Sequence, residues 1–219
     1  MGRTRRAFAV FFCLGAALLG QAAGVAAADG WEEGVHYFRL AEAQAVADSS
    51  KIEVKEYFWY GCGHCYHFEP LVKAWKAELP EDVAFVQTPA VWNRMMQLHA
   101  HLFYAAKDLG VFDALHDGFF HALQEERNPL TDPAEIVERF AAAGAPREAV
   151  MAAVESPSVM TRVRDAAQAM QAAGLQGVPG LVVAGKYRIG AAEAGSQEAM
   201  LEIADFLIEQ ERAAPGGAE

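Results

Sequence analysis

The sequence predicts an α/β chain: a central mixed sheet flanked by helices and interrupted by an all-α insertion. Three observations lead there. Strand-like runs rich in aromatic and β-branched residues lie towards both ends, Ile52 to Tyr60 and Val83 to Thr88 in the first half and Leu181 to Ile189 near the end. Between them, from about Asn93 to Ala173, only helical patterns occur. A pair of cysteines, Cys62-Gly63-His64-Cys65, stands where the run ending at Tyr60 gives way to a helical pattern.

Each element carries its own signal. Val35 to Leu40 reads as a short first strand and Ala41 to Ser50 as a connector. In the next run, one parity holds Ile52, Val54, Glu56, Phe58 and Tyr60, so Glu56 is a carboxylate on an otherwise apolar stripe. The following helix, Cys62 to about Leu79, places Cys65, Phe68, Val72, Trp75 and Leu79 on one face, with a kink rather than an end expected at Pro70. After the strand Val83 to Thr88, helices are predicted over Met95 to Leu109, stopped by Gly110, and over Phe112 to Glu126, stopped before Asn128-Pro129. Asp132-Pro133-Ala134-Glu135 has the cap residue, first-position proline and third-position glutamate of a helix start. Gly144 ends that helix, Pro146 opens a short one, and Ser156-Pro157 opens another running to about Ala173. Leu181-Val182-Val183, an Ala184-Gly185 turn and Lys186 to Ile189 form a hairpin. Ser196 caps a last helix, Gln197 to about Arg212, and Ala213 to Glu219 reads as a frayed tail.

The first residues stand apart. Arg3, Arg5 and Arg6 precede an apolar segment, Ala7 to Leu19, and small residues ending in Ala26-Ala27-Ala28. That is the pattern of a secretory signal cleaved after Ala28. Its apolar run is too short to span a bilayer, so no stable membrane insertion is expected. Cleavage removes Cys13, three arginines and no acids, taking the net charge from −11 to −14. So acidic a chain is a poor ligand for nucleic acid or an anionic membrane. Only Cys62 and Cys65 remain, with no framework of structural disulfides despite an oxidising destination. Cysteines spaced for redox work, and none for stapling, point to a catalyst.

A strand delivering Cys-x-x-Cys to the first turn of a helix is the layout of a thioredoxin-like redox centre. Backbone N–H groups there lack intrahelical partners and favour an anion. Cys62, at the tip, is the predicted acidic thiol, and Cys65, one turn deeper, the resolving partner. His64 between them brings a switchable positive charge to Cys62. Glu56 is a candidate proton reservoir for Cys65, whose buried thiol must lose its proton to attack a mixed disulfide. The competing reading leaves Glu56 at a solvated strand edge. Zinc would need more ligands than one cysteine pair and His67, so no metal is expected. His67, His99, His101, His116 and His121 have no ligand-like company and read as surface or satisfied core residues. Trp75, Trp92 and the Phe-rich helices read as core, while Trp59, Val91 and Trp92 are also candidates to line a substrate groove.

The residues Glu56 to Tyr66, Gly177-Val178-Pro179 and Gly185-Lys186-Tyr187-Arg188 resemble the DsbA family of exported thiol:disulfide oxidoreductases. The likeness covers essentially the whole chain after the signal. It implies a signal at 1–28, a thioredoxin-like domain made of 29–92 and 163–212, a helical insertion at 93–162 and a flexible tail at 213–219. It also implies a periplasmic dithiol oxidase in which a substrate thiolate attacks Cys62 and a second thiolate releases it, leaving the substrate oxidised. No cofactor beyond the Cys62–Cys65 disulfide is then expected. The implied partners are unfolded exported proteins with free thiols and a DsbB-type quinone-linked membrane oxidase, and the chain is expected to be a monomer. Val178-Pro179 would be a cis peptide that, with Gly63, presents backbone to an extended substrate. Two departures stand out. Gln87 occupies the place of a family lysine, and Gly63 the place where proline is commonest. Gly63-His64 is more typical of protein disulfide isomerases, which predicts a weaker oxidant. The alternatives are an isomerase or reductase of the same fold, which would want an N-terminal dimerisation domain, and a non-catalytic peptide-binding chaperone.

Overall fold

The computed structural model describes Met1 and residues 30–214, so the expected signal and the end of the tail lie outside the described residues. In chain order the elements are β1 (Phe38–Arg39), β2 (Ile52–Phe58), α1 (Gly63–Ala77), β3 (Val83–Pro89), α2 (Arg94–Asp108), α3 (Phe112–Gln124) and α4 (Pro133–Ala142). There follow α5 (Arg147–Val154), α6 (Pro157–Ala172), β4 (Gly180–Val183), β5 (Tyr187–Gly190), α7 (Ala191–Ala194) and α8 (Gln197–Ala213). The strands form one mixed sheet in the order β1-β5-β4-β2-β3, with β2 and β3 parallel and the other pairs antiparallel. This is the predicted α/β architecture, with α2 to α6 inserted between β3 and β4.

Apolar side chains on both faces make β2 the centre of the molecule. On one face Val54 packs with Phe68 and Val72 of α1 and with Ile203 and Leu207 of α8. On the other, Tyr57 packs with Met96 of α2 and Met170 of α6. The inserted helices have their own aromatic core, Phe103, Phe119, Phe120 and Phe140, continuous with Phe58, Tyr60 and Cys65. Each such ring contributes about 1.5–3 kcal/mol on burial. The cysteine pair therefore sits at the seam between sheet and insertion.

Some expectations change in detail. The first strand shrinks to Phe38–Arg39, because only these residues pair with Arg188 and Tyr187. Helix α1 does not end at Pro70, as expected. Asp132 caps α4 by accepting the Ala134 N–H at 2.9 Å, but Glu135 accepts from Arg139 and Asn128 instead of folding back. The boundary expected between 162 and 163 falls inside α6, which is one continuous helix. Its Val159 and Val163 pack on Ala100 of α2, whereas Ala169 and Met170 pack towards Tyr57 and Val182 of the sheet. One helix thus serves both parts. The β4–β5 turn has φ of 52° at Ala184 and 66° at Gly185, the positive pair that closes a two-residue hairpin. A Cβ at Gly185 would also lie 2.3 Å from the Gln44 carbonyl oxygen. Among the described residues, no helix is long and apolar enough to cross a membrane.

Candidate active site

Cys62 is the N-cap of α1. Its backbone is extended and its Sγ accepts the Cys65 N–H at 3.4 Å, the place an oxygen cap normally takes. The first turn carries no acidic residue to compete for the helix's positive end. The loop before it is held from two sides. Gln124, the last residue of α3, donates to the Tyr60 carbonyl at 2.8 Å, and the Cys62 N–H bonds to the Trp59 carbonyl at 3.0 Å. Gly61 permits a close approach, since a Cβ there would fall 2.3 Å from the Trp59 indole. That indole donates to His99 Nδ1 at 2.9 Å, and His99 Nε2 donates to the Pro129 carbonyl at 2.9 Å. Burial lowers the His99 pKa, in keeping with a neutral ring.

The two sulfurs differ sharply. Both are free thiols. Cys62 is half-buried and its pKa is lowered to about 6, first by the hydrogen bond from the Cys65 side chain. The N–H groups of Cys65 and His64 and the His64 charge add to that, against burial. Cys65 is fully buried, which drives its thiol upward, and its bond to Cys62 and the charge on that sulfur push the same way. Val178-Pro179 is a cis peptide, and the Cys62 thiol donates to the Val178 carbonyl at 3.3 Å. A cleft of about 280 Å³ runs past Gln176, Val178, Pro179, Arg188 and Glu193. His64 is exposed, and its carbonyl accepts from Gln197 at the start of α8 at 2.6 Å. Gly63 is the first residue of α1, where an added Cβ would meet only Gln124 Oε1, at an ordinary 3.5 Å.

Glu56 is not at a solvated edge. It is 1% exposed, and its pKa is raised to about 8 by burial and the nearby Glu69, against the bond from Gln87. The β2–β3 register sets Glu56 opposite Gln87. Gln87 Nε2 lies 3.0 Å from Glu56 Oε2 and 3.2 Å from Glu69 Oε2. Glu69 Oε1 is 3.2 Å from His116 Nε2, and His116 Nδ1 is 2.9 Å from the Tyr60 hydroxyl. So an amide stands between two carboxylates, and a buried histidine of α3 completes the group. Sequence reasoning left out Glu69 and read His116 only as a surface or satisfied core residue, which it is by burial. Glu69 had a signal, since it follows Cys65 by four residues on the same helical face. His116 had none.

Other expectations divide. Trp75 is half-buried and donates to Asp205 at 2.8 Å; Trp59 is half-buried beside Gly61, and Val91 is half-buried against Ala100, Val159 and Val163. Trp92, read either as core or as a groove residue, is 48% exposed, which removes the core reading: it lies in the bend between β3 and the cap of α2 with no element over it. Among the described residues, no three His, Cys, Asp or Glu side chains come together as a metal-ligating group.

A family model described as a DSBA-like thioredoxin domain matches residues 80–202, from just before β3 into α8. The chain is 40% identical to the thiol:disulfide interchange protein DsbA of Azotobacter vinelandii over 181 residues, covering 83% of this chain and 85% of that one. It is 38% identical to the protein of the same name from Pseudomonas aeruginosa over 199 residues, covering 91% and 93%. Among solved structures, Pseudomonas aeruginosa DsbA superposes with a TM-score of 0.79 at 37% identity, covering 84% of this chain and 95% of that one. The oxidoreductase DsbA of Xylella fastidiosa gives a TM-score of 0.77 at 31% identity, covering 83% and 97%.

Proposed function

The chain belongs to the family of DsbA-like thioredoxin domains, and on that premise we propose that it passes a Cys62–Cys65 disulfide to pairs of thiols in exported proteins. It is a thiol:disulfide oxidoreductase. The observation that carries the direction of transfer is the unequal acidity of its two sulfurs. A pKa of about 6 for Cys62, against about 8.5 for an ordinary thiol, favours the dithiol roughly tenfold at neutral pH, or about 30 mV. Stabilising the thiolate makes the disulfide the form that seeks electrons.

The chemistry then runs in two displacements. A substrate thiolate attacks the Cys62 sulfur, and Cys65 leaves with the electron pair of the broken S–S bond. Because burial strongly disfavours a Cys65 thiolate, a proton must follow it. Glu56, with a pKa of about 8, carries one at neutral pH and lies within electrostatic reach of Cys65. A second substrate thiolate attacks the substrate sulfur of the mixed disulfide and expels Cys62 as the thiolate. The substrate has lost two electrons, and the enzyme disulfide has gained them. A DsbB-type quinone-linked membrane oxidase returns the dithiol to the disulfide, and Glu56 then takes the Cys65 proton back. His64 adds its charge to the Cys62 thiolate. The Val178 carbonyl, freed when Cys62 has no proton to donate, accepts a backbone N–H from an extended substrate. Pro179 fixes that carbonyl, and Gly63 leaves room beside the sulfur. The working place is the periplasm, reached by the N-terminal signal.

Trapping tests the reading. Cys65→Ala, expressed with its signal, should accumulate reductant-sensitive mixed disulfides with exported proteins, and Cys62→Ala should accumulate none. Absence of adducts from Cys65→Ala would remove the oxidase role. Undiminished binding of unfolded proteins by Cys62→Ala, with no oxidation by the wild type, would mark a chaperone instead.

A further inference from the structure

The group of polar side chains beneath Cys65 holds more than Glu56 requires, and its extra member comes from the inserted helices. We infer that His116 is a positioning residue for the redox pair: by donating its Nε2 hydrogen to Glu69 it keeps the group's negative charge there and leaves the group's proton on Glu56. The inference rests on the oxidase reading above, since it concerns the proton that Cys65 gains and loses.

Counting hydrogens leads to it. The Gln87 amide nitrogen has two, and three atoms face it: Glu56 Oε2 at 3.0 Å, Glu69 Oε2 at 3.2 Å and His116 Nε2 at 3.4 Å. The two nearer carboxylate oxygens take both hydrogens. His116 Nε2 therefore carries its own hydrogen and gives it to Glu69 Oε1 at 3.2 Å. The other ring nitrogen accepts from the Tyr60 hydroxyl at 2.9 Å, which burial keeps protonated. A ring that donates from Nε2 and accepts at Nδ1 satisfies every partner.

The two carboxylates are served unequally. Glu69 receives the Gln87 N–H, the His116 N–H and, at 3.8 Å, the ammonium of Lys73, which it shares with Asp117. Glu56 receives one N–H, and its Oε1 is buried with no partner. Two carboxylates around one amide resist double ionisation, so a single proton goes to the one with fewer donors. That is Glu56. The charged groups facing His116 from its surroundings are Glu56 of β2, Glu69 and Lys73 of α1, and Asp113 and Asp117 of α3 itself. Lys76 of α1 stands at the rim of the adjoining cavity of about 210 Å³, which β3 lines only with Phe85 and Gln87. Of these only Lys73 also faces Glu69 Oε1, at 3.8 Å and shared with Asp117, beyond the hydrogen-bond reach that His116 has at 3.2 Å.

The test uses the purified, oxidised protein and a synthetic dithiol peptide. Reaction rate, corrected for the peptide's thiolate fraction, is followed against pH for the wild type, His116→Phe and His116→Gln. In the wild type the rate should hold to about pH 8 and then fall as Glu56 loses its proton. Without the His116 donor, Glu69 competes for that proton. His116→Phe should therefore show a plateau several-fold lower and a midpoint of the fall moved to higher pH by the logarithm of that factor, about half a unit or more. His116→Gln, whose amide both donates and accepts, should restore the wild-type profile. A midpoint that stays in place in His116→Phe, whatever the plateau does, overturns the inference. Nitrogen-15 NMR of the wild-type dithiol protein gives an independent check that needs no variant to fold: the Nε2–H tautomer of His116 supports the inference, and the Nδ1–H tautomer overturns it. A wild type inert towards the peptide at every pH would overturn the oxidase reading instead.

Discussion

Removing the Cys62 sulfur should change how the dithiol protein's stability depends on pH, and the size of the change follows from the site. Its folded pKa is lowered to about 6, first by the hydrogen bond from the Cys65 side chain and then by the N–H groups of the first turn and the His64 charge. In an unfolded chain a thiol titrates near about 8.5. A group depressed on folding contributes stability that is complete above the unfolded pKa and lost as pH falls through the folded one, so the window runs from about pH 8.5 down to about 6. Linkage gives about 1.4 kcal/mol at pH 7 and about 3 at pH 9. Solvent screening at a half-buried sulfur reduces these to roughly 1 and 2 kcal/mol. The assay is urea unfolding of wild type and Cys62→Ser, both kept reduced, at about pH 5, 7 and 9. The gap between them should widen by roughly 1 kcal/mol at each step. Parallel curves would refute the reasoning, as would a thiolate absorbance midpoint at the ordinary thiol value.

Three other substitutions address neighbouring parts of the site. Glu56 keeps its proton to about pH 8 in the folded chain, so wild-type stability should fall as pH rises from about 4.5 to 8. Glu56→Gln should lack that fall and be more stable at neutral pH by on the order of 2–3 kcal/mol, while oxidising peptides more slowly. Superimposable pH–stability curves would remove Glu56 from the scheme. Gly63→Pro occupies the first helical position, where proline is accepted, and should add about 0.4–1 kcal/mol in a denaturant titration. By holding the His64 and Cys65 N–H groups on the sulfur it should also make the couple more oxidising against glutathione, and an unchanged potential would refute that. Gly61→Ala puts a methyl into the Trp59 indole, 2.3 Å away, and should cost about 1–3 kcal/mol in the same titration. Full stability would show that the indole is free to move.

What could be read from residues alone was whatever short-range forces decide. The strand before Cys62, the cap at Ser196, the stop at Gly110 and the Ala184-Gly185 turn each depend on a few neighbouring dihedrals and hydrogen bonds, and each was legible. The choice for Trp92 between core and surface was not, because it depends on no element passing overhead. Nor was α7, whose four residues bear no amphipathic pattern. The 162/163 boundary falls inside α6 for a related reason. Helical periodicity reports that α6 has a buried side, but not that its two halves meet different parts of the molecule.

By itself the sequence determined the reactive pair and its setting: two cysteines at a strand-to-helix junction, with a histidine between them and a Val-Pro far along the chain. Only the tertiary structure decided that Glu56 is buried rather than solvated, and that Glu69, Gln87 and His116 join it. The cause is distance along the chain. Those four residues come from β2, α1, β3 and α3, and they meet only because the β2–β3 register aligns Glu56 with Gln87 and α3 packs its His116 over that pair. No local pattern in any one segment encodes the meeting, since it arises from how separate surfaces fit.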